Sequence, residues 1–132
     1  MIVADTSIWV EFLKKNEDVF TRMRSLLDNH EILGVECVFG ELLQGARNDR
    51  ECAIIEGYWE NLPRLNETNL WIEAGRYSGE YKLLSKGIGL IDAAIIIAAR
   101  RTESSIWTSD KKLARVLKKD DIFHISNKIN DD

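Results

Sequence analysis

The sequence predicts an α/β fold in which a parallel sheet is covered by helices on both faces. Three observations carry that expectation. Short apolar runs alternate with longer segments whose apolar residues recur every three or four positions, the signature of strand–helix–strand units. The segment Leu90 to Arg101 is apolar on more than one side and reads as a helix at the centre of the domain. The chain has 132 residues, 45% of them hydrophobic and 30% charged, enough for one domain that buries about two-thirds of its unfolded surface without staples.

Taken in order, Met1 to Ala4 reads as a short buried strand. Thr6 or Ser7 then caps a helix carrying Ile8, Trp9, Phe12 and Leu13 on one side. Asp18 to Asn29 is a second helical pattern, with Phe20, Met23, Leu26 and Leu27 spaced for one face. His30 to Val35 is expected as a strand, Glu36 to Arg47 as a helix closing near Gly45, and Arg50 to Leu62 as another. Pro63 marks a break, and Arg64 to Thr68 is read as a third strand or a connector. Asn69 is expected to cap a long helix containing Trp71, Ala74, Tyr77, Tyr81 and Leu84, ended by Gly87 and Gly89. After the central helix come a strand at Ser105 to Thr108, a short helix at Lys111 to Lys118 and a closing strand at Ile122 to Ile125. One domain is expected over residues 1–132, its last few residues as a tail.

Composition narrows the classes of function. Acids outnumber bases by 22 to 18, a net charge of −4, so the whole molecule does not advertise nucleic-acid binding, although a local basic face fits inside that balance. Asp5 interrupts the first apolar run, so no signal peptide is expected. The longest apolar stretch, Ile88 to Ala99, is too short to span a bilayer and contains Asp92. A cytoplasmic protein is therefore expected. Cys37 and Cys52 form neither a disulfide framework nor a zinc motif. His30 and His124 lie far apart, without ligand spacing, and read as ordinary surface or core residues.

Four carboxylates stand out because each is alone in an apolar or small-residue setting: Asp5, Glu41, Asp92 and Asp110. Asp5 and Asp110 follow strands; Glu41 and Asp92 lie in helical patterns. In parallel sheets, ligand sites form at the carboxyl ends of strands, where these acids can converge. Gathered at about 5 Å, each pair repels by about 3 kcal/mol at an effective dielectric of about 20, a cost a divalent cation relieves. Singly, each has a bland explanation: Asp5, Asp92 and Asp110 are all placed to cap a helix or favour its dipole. Glu41, mid-helix between Val38 and Leu42, is harder to explain that way. Mg²⁺ and Mn²⁺ take carboxylate and water oxygens, so such a site needs neither histidine nor cysteine.

The residues around the acids resemble one family. Ile-Val-Ala-Asp-Thr-Ser-Ile-Trp-Val at the start, Gly-Glu-Leu-Leu-Gln-Gly, Leu-Ile-Asp-Ala-Ala-Ile-Ile-Ile-Ala-Ala and Trp-Thr-Ser-Asp-Lys-Lys-Leu occur in the order found in PIN-domain ribonucleases. The likeness is strongest to the VapC toxins of toxin–antitoxin pairs, and it covers the whole chain. Leu113 stands where the family usually has Phe.

This resemblance implies a three-layer PIN-like fold with a central, mainly parallel sheet of four or five strands. It implies a Mg²⁺- or Mn²⁺-dependent endoribonuclease that cleaves RNA through a metal-activated water. It further implies a homodimer held inactive by a small VapB-type antitoxin. By position, Asp5 and Asp92 are the primary metal ligands, Glu41 completes the site, and Asp110 holds a second ion or orients a metal-bound water. Ser7 and Thr108 are hydroxyls placed to support them. Lys111 and Lys112 occupy positions where some relatives carry a further acid, which argues against a second tightly held ion.

RNA phosphates need cations. The candidates are Arg47, Lys111, Lys112 and Arg115, with Arg50, Lys118 and Lys119 nearby; solvated helix faces are the plain alternative. Trp9, Phe12 and Phe20 are candidates for a groove that takes an antitoxin helix. Rival readings are an RNA-processing or turnover nuclease with no toxin role, and a catalytically silent PIN-like binding module, which the presence of all four acids disfavours. A receiver domain needs adjacent acids after the first strand, and a D-x-D phosphatase needs an acid where Ser7 stands.

Overall fold

In the computed structural model, residues 1–124 are described. Strand β1 (Ile2–Ala4) leads into α1 (Thr6–Leu13) and α2 (Glu17–Asp28). There follow α3 (Glu36–Gln44), α4 (Asp49–Asn61), α5 (Leu70–Glu80) and α6 (Leu90–Arg101), then β2 (Ser105–Trp107) and α7 (Lys111–Val116). β1 and β2 pair in parallel, with Ile2 opposite Ser105, Val3 opposite Ile106 and Ala4 opposite Trp107. All three residues of β1 are buried, so both faces of the sheet are covered.

The sheet is narrower than expected. Two strands form among the described residues, where the family resemblance implied four or five. The outer segments join through single parallel bridges: Ile2 to Ile32, Gly34 to Arg64 and Ile106 to Ile122. The causes are local. His30 adopts a left-handed backbone (φ 56°) and α3 begins at Glu36, so the segment between them is short. The Gly34 N–H bonds to the carbonyl of Pro63, and proline has no N–H to continue a ladder. Gly34 is also a close approach: a Cβ there would lie 3.1 Å from the Trp59 ring and 3.2 Å from Leu62. Of the expected strand Ile122 to Ile125, Ile122 makes one bridge and Ile125 lies outside the described residues, as does the expected tail.

The helices follow their sequence signals with small corrections. The α1 cap is Asp5 rather than Thr6 or Ser7, since its carboxylate accepts from the Ile8 N–H at 3.2 Å. Asn16 caps α2 and Asn48 caps α4 through their side chains. Asn69 precedes α5 with a left-handed backbone and no side-chain capping bond. α5 is shorter than expected: the chain leaves it at Tyr81, Lys82 takes φ 54°, and Leu84 falls in a separate 3₁₀ turn, Leu84–Lys86.

α6 packs on both strands and is covered in turn by α5, while α1 packs against β1, α2 and α3. Every residue from Ala93 to Ala99 is buried, as the apolar run predicts. Trp9 and Phe12 are core residues, 1% and 2% exposed, and meet edge-on at 5.8 Å; Trp9 does not form a groove. Phe39 and Tyr58 complete that aromatic cluster. Among the described residues no helix is long and apolar enough to cross a membrane.

Candidate active site

The carboxyl end of the sheet presents Asp5. Its backbone N–H continues the pairing of β1 with β2, bonding the Trp107 carbonyl at 3.0 Å, and the chain then turns into α1. The side chain is 4% exposed and fully engaged. Oδ1 accepts from Ser7 Oγ at 2.5 Å and from the Ile8 N–H; Oδ2 accepts from Thr108 Oγ1. Burial pushes the Asp5 carboxyl above the ordinary aspartate range, its hydrogen bonds oppose that rise, and repulsion from Asp110 adds to it.

Thr108 and Asp110 arrive from the end of β2. The Asp110 N–H donates to Thr108 Oγ1 at 2.9 Å, and Asp110 Oδ1 caps α7 by accepting from Lys112 N at 2.8 Å and Leu113 N at 3.3 Å. The Ser109 N–H donates to Ser7 Oγ at 3.2 Å, which ties the two strand ends together. The capping explanations of Asp5 and Asp110 are therefore correct, and both acids stand at the same end of the sheet.

Glu41 and Asp92 come from helices. Glu41, half-buried in α3, accepts at Oε1 from Thr6 Oγ1 at 2.5 Å. Asp92 lies in the first turn of α6, half-buried, with no side-chain hydrogen bond among the described residues. Burial, followed by repulsion from Asp110, Asp5 and Glu41, pushes its carboxyl up to about 6. One acid thus senses the other three, so the sequence-predicted quartet shares a single electrostatic field.

Among the described residues no cation pairs with any of the four acids; the ion pairs there, Arg47 with Glu51 and Arg101 with Glu73, involve none of them. As the side chains lie, no three acidic, histidine or cysteine groups among the described residues stand close enough to share one ion. The donor chemistry nevertheless fits a hard divalent cation, which binds through one or two carboxylates and keeps several waters. It does not fit a thiolate site. Cys37, one turn before Glu41, has its thiol pushed up to about 12 by burial, with Glu67 and Glu41 adding to the effect.

The expected phosphate contacts divide. Lys111, Lys112 and Arg115 are exposed on α7, next to the site through Asp110, and make no ion pair among the described residues. The Lys112 chain lies over Gly87, where φ is +81° and a Cβ would stand 3.1 Å from the lysine Cδ. Arg47 is engaged instead with Glu51 at 2.8 Å. A cleft of about 990 Å³ opens beside Thr6 and Glu41, lined by α1, α3 and α4 with Phe20, Ile54 and Tyr58 among its apolar residues and Lys14, Lys15 and Arg50 among its cations.

Sequence reasoning missed Thr6, which it read as a cap. Its place directly after Asp5 was the signal available, but its partner lies 35 positions away. None of the curated proteins compared with the chain matches it. The family model for the PIN domain, a nuclease fold, matches residues 2–119, a span that includes all four acids. On that match, the chain belongs to the PIN domain family.

Proposed function

We propose that the chain is a Mg²⁺- or Mn²⁺-dependent endoribonuclease that hydrolyses RNA phosphodiesters. The observation that carries this reading is Asp92: half-buried and repelled by three other carboxylates, with no side-chain donor to it and no lysine or arginine paired with any of the four among the described residues. A bound divalent ion supplies charge neutralisation and a water activated for attack on phosphorus. Asp92 and Asp5 are the groups to hold it. Asp5 is oriented for this by Ser7 and Thr108, while Glu41 and Asp110 each keep one oxygen without a donor among the described residues. Lys111, Lys112 and Arg115 are the cations on hand for substrate phosphates.

The deciding experiment measures cleavage of total RNA with Mg²⁺ or Mn²⁺ by wild type, Asp5→Asn and Asp92→Asn. Both variants are expected to lose activity by a hundredfold or more, because each removes a charge that holds the ion. Equal cleavage by all three proteins would sink the assignment.

We further infer that the activity serves a VapC-type toxin neutralised by a small VapB-type antitoxin. The support is the whole-chain likeness in motif order, and a cleft beside Glu41 whose apolar walls and flanking lysines suit a short partner segment. A homodimer is supported by Trp71, Ile72, Tyr81 and Leu84, which α5 and the following turn leave exposed. Induced expression is expected to arrest growth, and co-expression of a small protein encoded beside it to relieve the arrest. Growth without arrest, with RNA cleavage intact in vitro, favours a processing nuclease.

A further inference from the structure

We propose that Thr6 is a positioning residue for Glu41, on which the metal affinity of the site depends. This rests on the metal-dependent reading above. Thr6 opens α1 immediately after Asp5, and the Asp5 cap fixes that first turn against the end of β1. From there its hydroxyl crosses to α3 and donates to Glu41 Oε1 at 2.5 Å. No other side-chain donor or cation meets Glu41 among the described residues.

The consequence is geometric. A glutamate mid-helix has three rotatable bonds, and beside an open cleft its carboxylate has many places to lie. Binding Oε1 to Thr6 leaves Oε2 as the oxygen without a partner among the described residues, and ties the carboxylate to the helix turn that Asp5 caps. Ser7 and Thr108 perform the equivalent task for Asp5, and the α7 cap for Asp110. Groups that orient ligands in this way typically change metal affinity by about 10–100-fold when removed.

The test is calorimetric titration of Mn²⁺ into wild type, Thr6→Val, Thr6→Ala, Thr6→Ser, Glu41→Gln and the double variant T6V/E41Q. Melting temperatures in EDTA verify that each protein is folded. Thr6→Val and Thr6→Ala are expected to bind Mn²⁺ about tenfold or more weakly, and Thr6→Ser, which keeps the hydroxyl, within about threefold of wild type. In the Glu41→Gln background, Thr6→Val is expected to add little, because the carboxylate it positions is gone. Wild-type affinity in Thr6→Val, a loss in Thr6→Ser equal to that in Thr6→Val, or full additivity in the double variant would each overturn the proposal. Those failures leave the nuclease reading standing so long as wild type binds Mn²⁺ and Glu41→Gln binds it weakly. A wild-type protein that binds no Mn²⁺ overturns both.

Discussion

Asp92→Asn is expected to stabilise the metal-free protein while removing its activity. In the folded chain Asp92 titrates at about 6, against 3.8 for an ordinary aspartate. At about 1.4 kcal/mol per pK unit, ionising it at neutral pH costs the fold at most about 3 kcal/mol. Asp92 is only half-buried, and water screening reduces this to about 1–2 kcal/mol. The variant also loses a carboxylate in the first turn of α6, which the helix dipole favours by about 0.3–1 kcal/mol. The net gain is about 1 kcal/mol, or about 3–5 °C in Tm for a chain of this size.

The pH dependence gives this expectation its signature. Because the folded state holds the Asp92 proton more tightly than the unfolded state, wild type is favoured below about pH 4. It loses that advantage as pH rises through 6. Asparagine does not titrate, so the Tm difference should be absent or reversed near pH 4 and full above pH 7. The raised Asp5 carboxyl acts in the same direction in both proteins. Thermal unfolding in EDTA from pH 4 to 8 measures the effect. An Asn variant that melts at or below wild type at pH 7.5, or a difference independent of pH, would refute the account of Asp92 as a strained acid.

Two further outcomes follow from the geometry. Asp110→Ala should cost about 1 kcal/mol relative to Asp110→Asn in EDTA, since asparagine can still cap α7 and alanine cannot; equal denaturant midpoints would show that the cap contributes nothing. Gly34→Ala should destabilise by about 1–3 kcal/mol in urea unfolding, because the new Cβ meets the Trp59 ring and Leu62 at 3.1 and 3.2 Å; a neutral substitution would mean that α4 yields easily there.

How much of this was legible in the sequence depended on how local each interaction is. The central helix Leu90 to Arg101 was read with its observed bounds, because its apolar run and flanking Gly89 are local signals. The shortened end of α5 was not legible. Nothing in Tyr81-Lys82 announces that Lys82 will take a left-handed backbone, five residues before the Gly87 and seven before the Gly89 expected to close the helix. The outer strands failed for another reason. A segment that pairs at one residue looks like any short apolar run, and only the register with its neighbour decides its extent. The four acids and the Ser7 and Thr108 hydroxyls were singled out from spacing and resemblance, and the fold brings them to one end of the sheet. The bond from Thr6 to Glu41 spans 35 positions and needed the fold to exist first.

The unbroken burial of Ala93 to Ala99 has a consequence for how quickly the site can act. Amides so deep in a core exchange with solvent chiefly through global opening, so this stretch of backbone stays in place for as long as the molecule remains folded. Asp92 sits one residue before it. What remains free to move is the rotation of carboxylates around fixed anchor points, a matter of picoseconds to nanoseconds. On the metal-dependent reading proposed above, an incoming ion would therefore be gathered at a rate set by its own shedding of water, with no slower rearrangement of the chain to wait for.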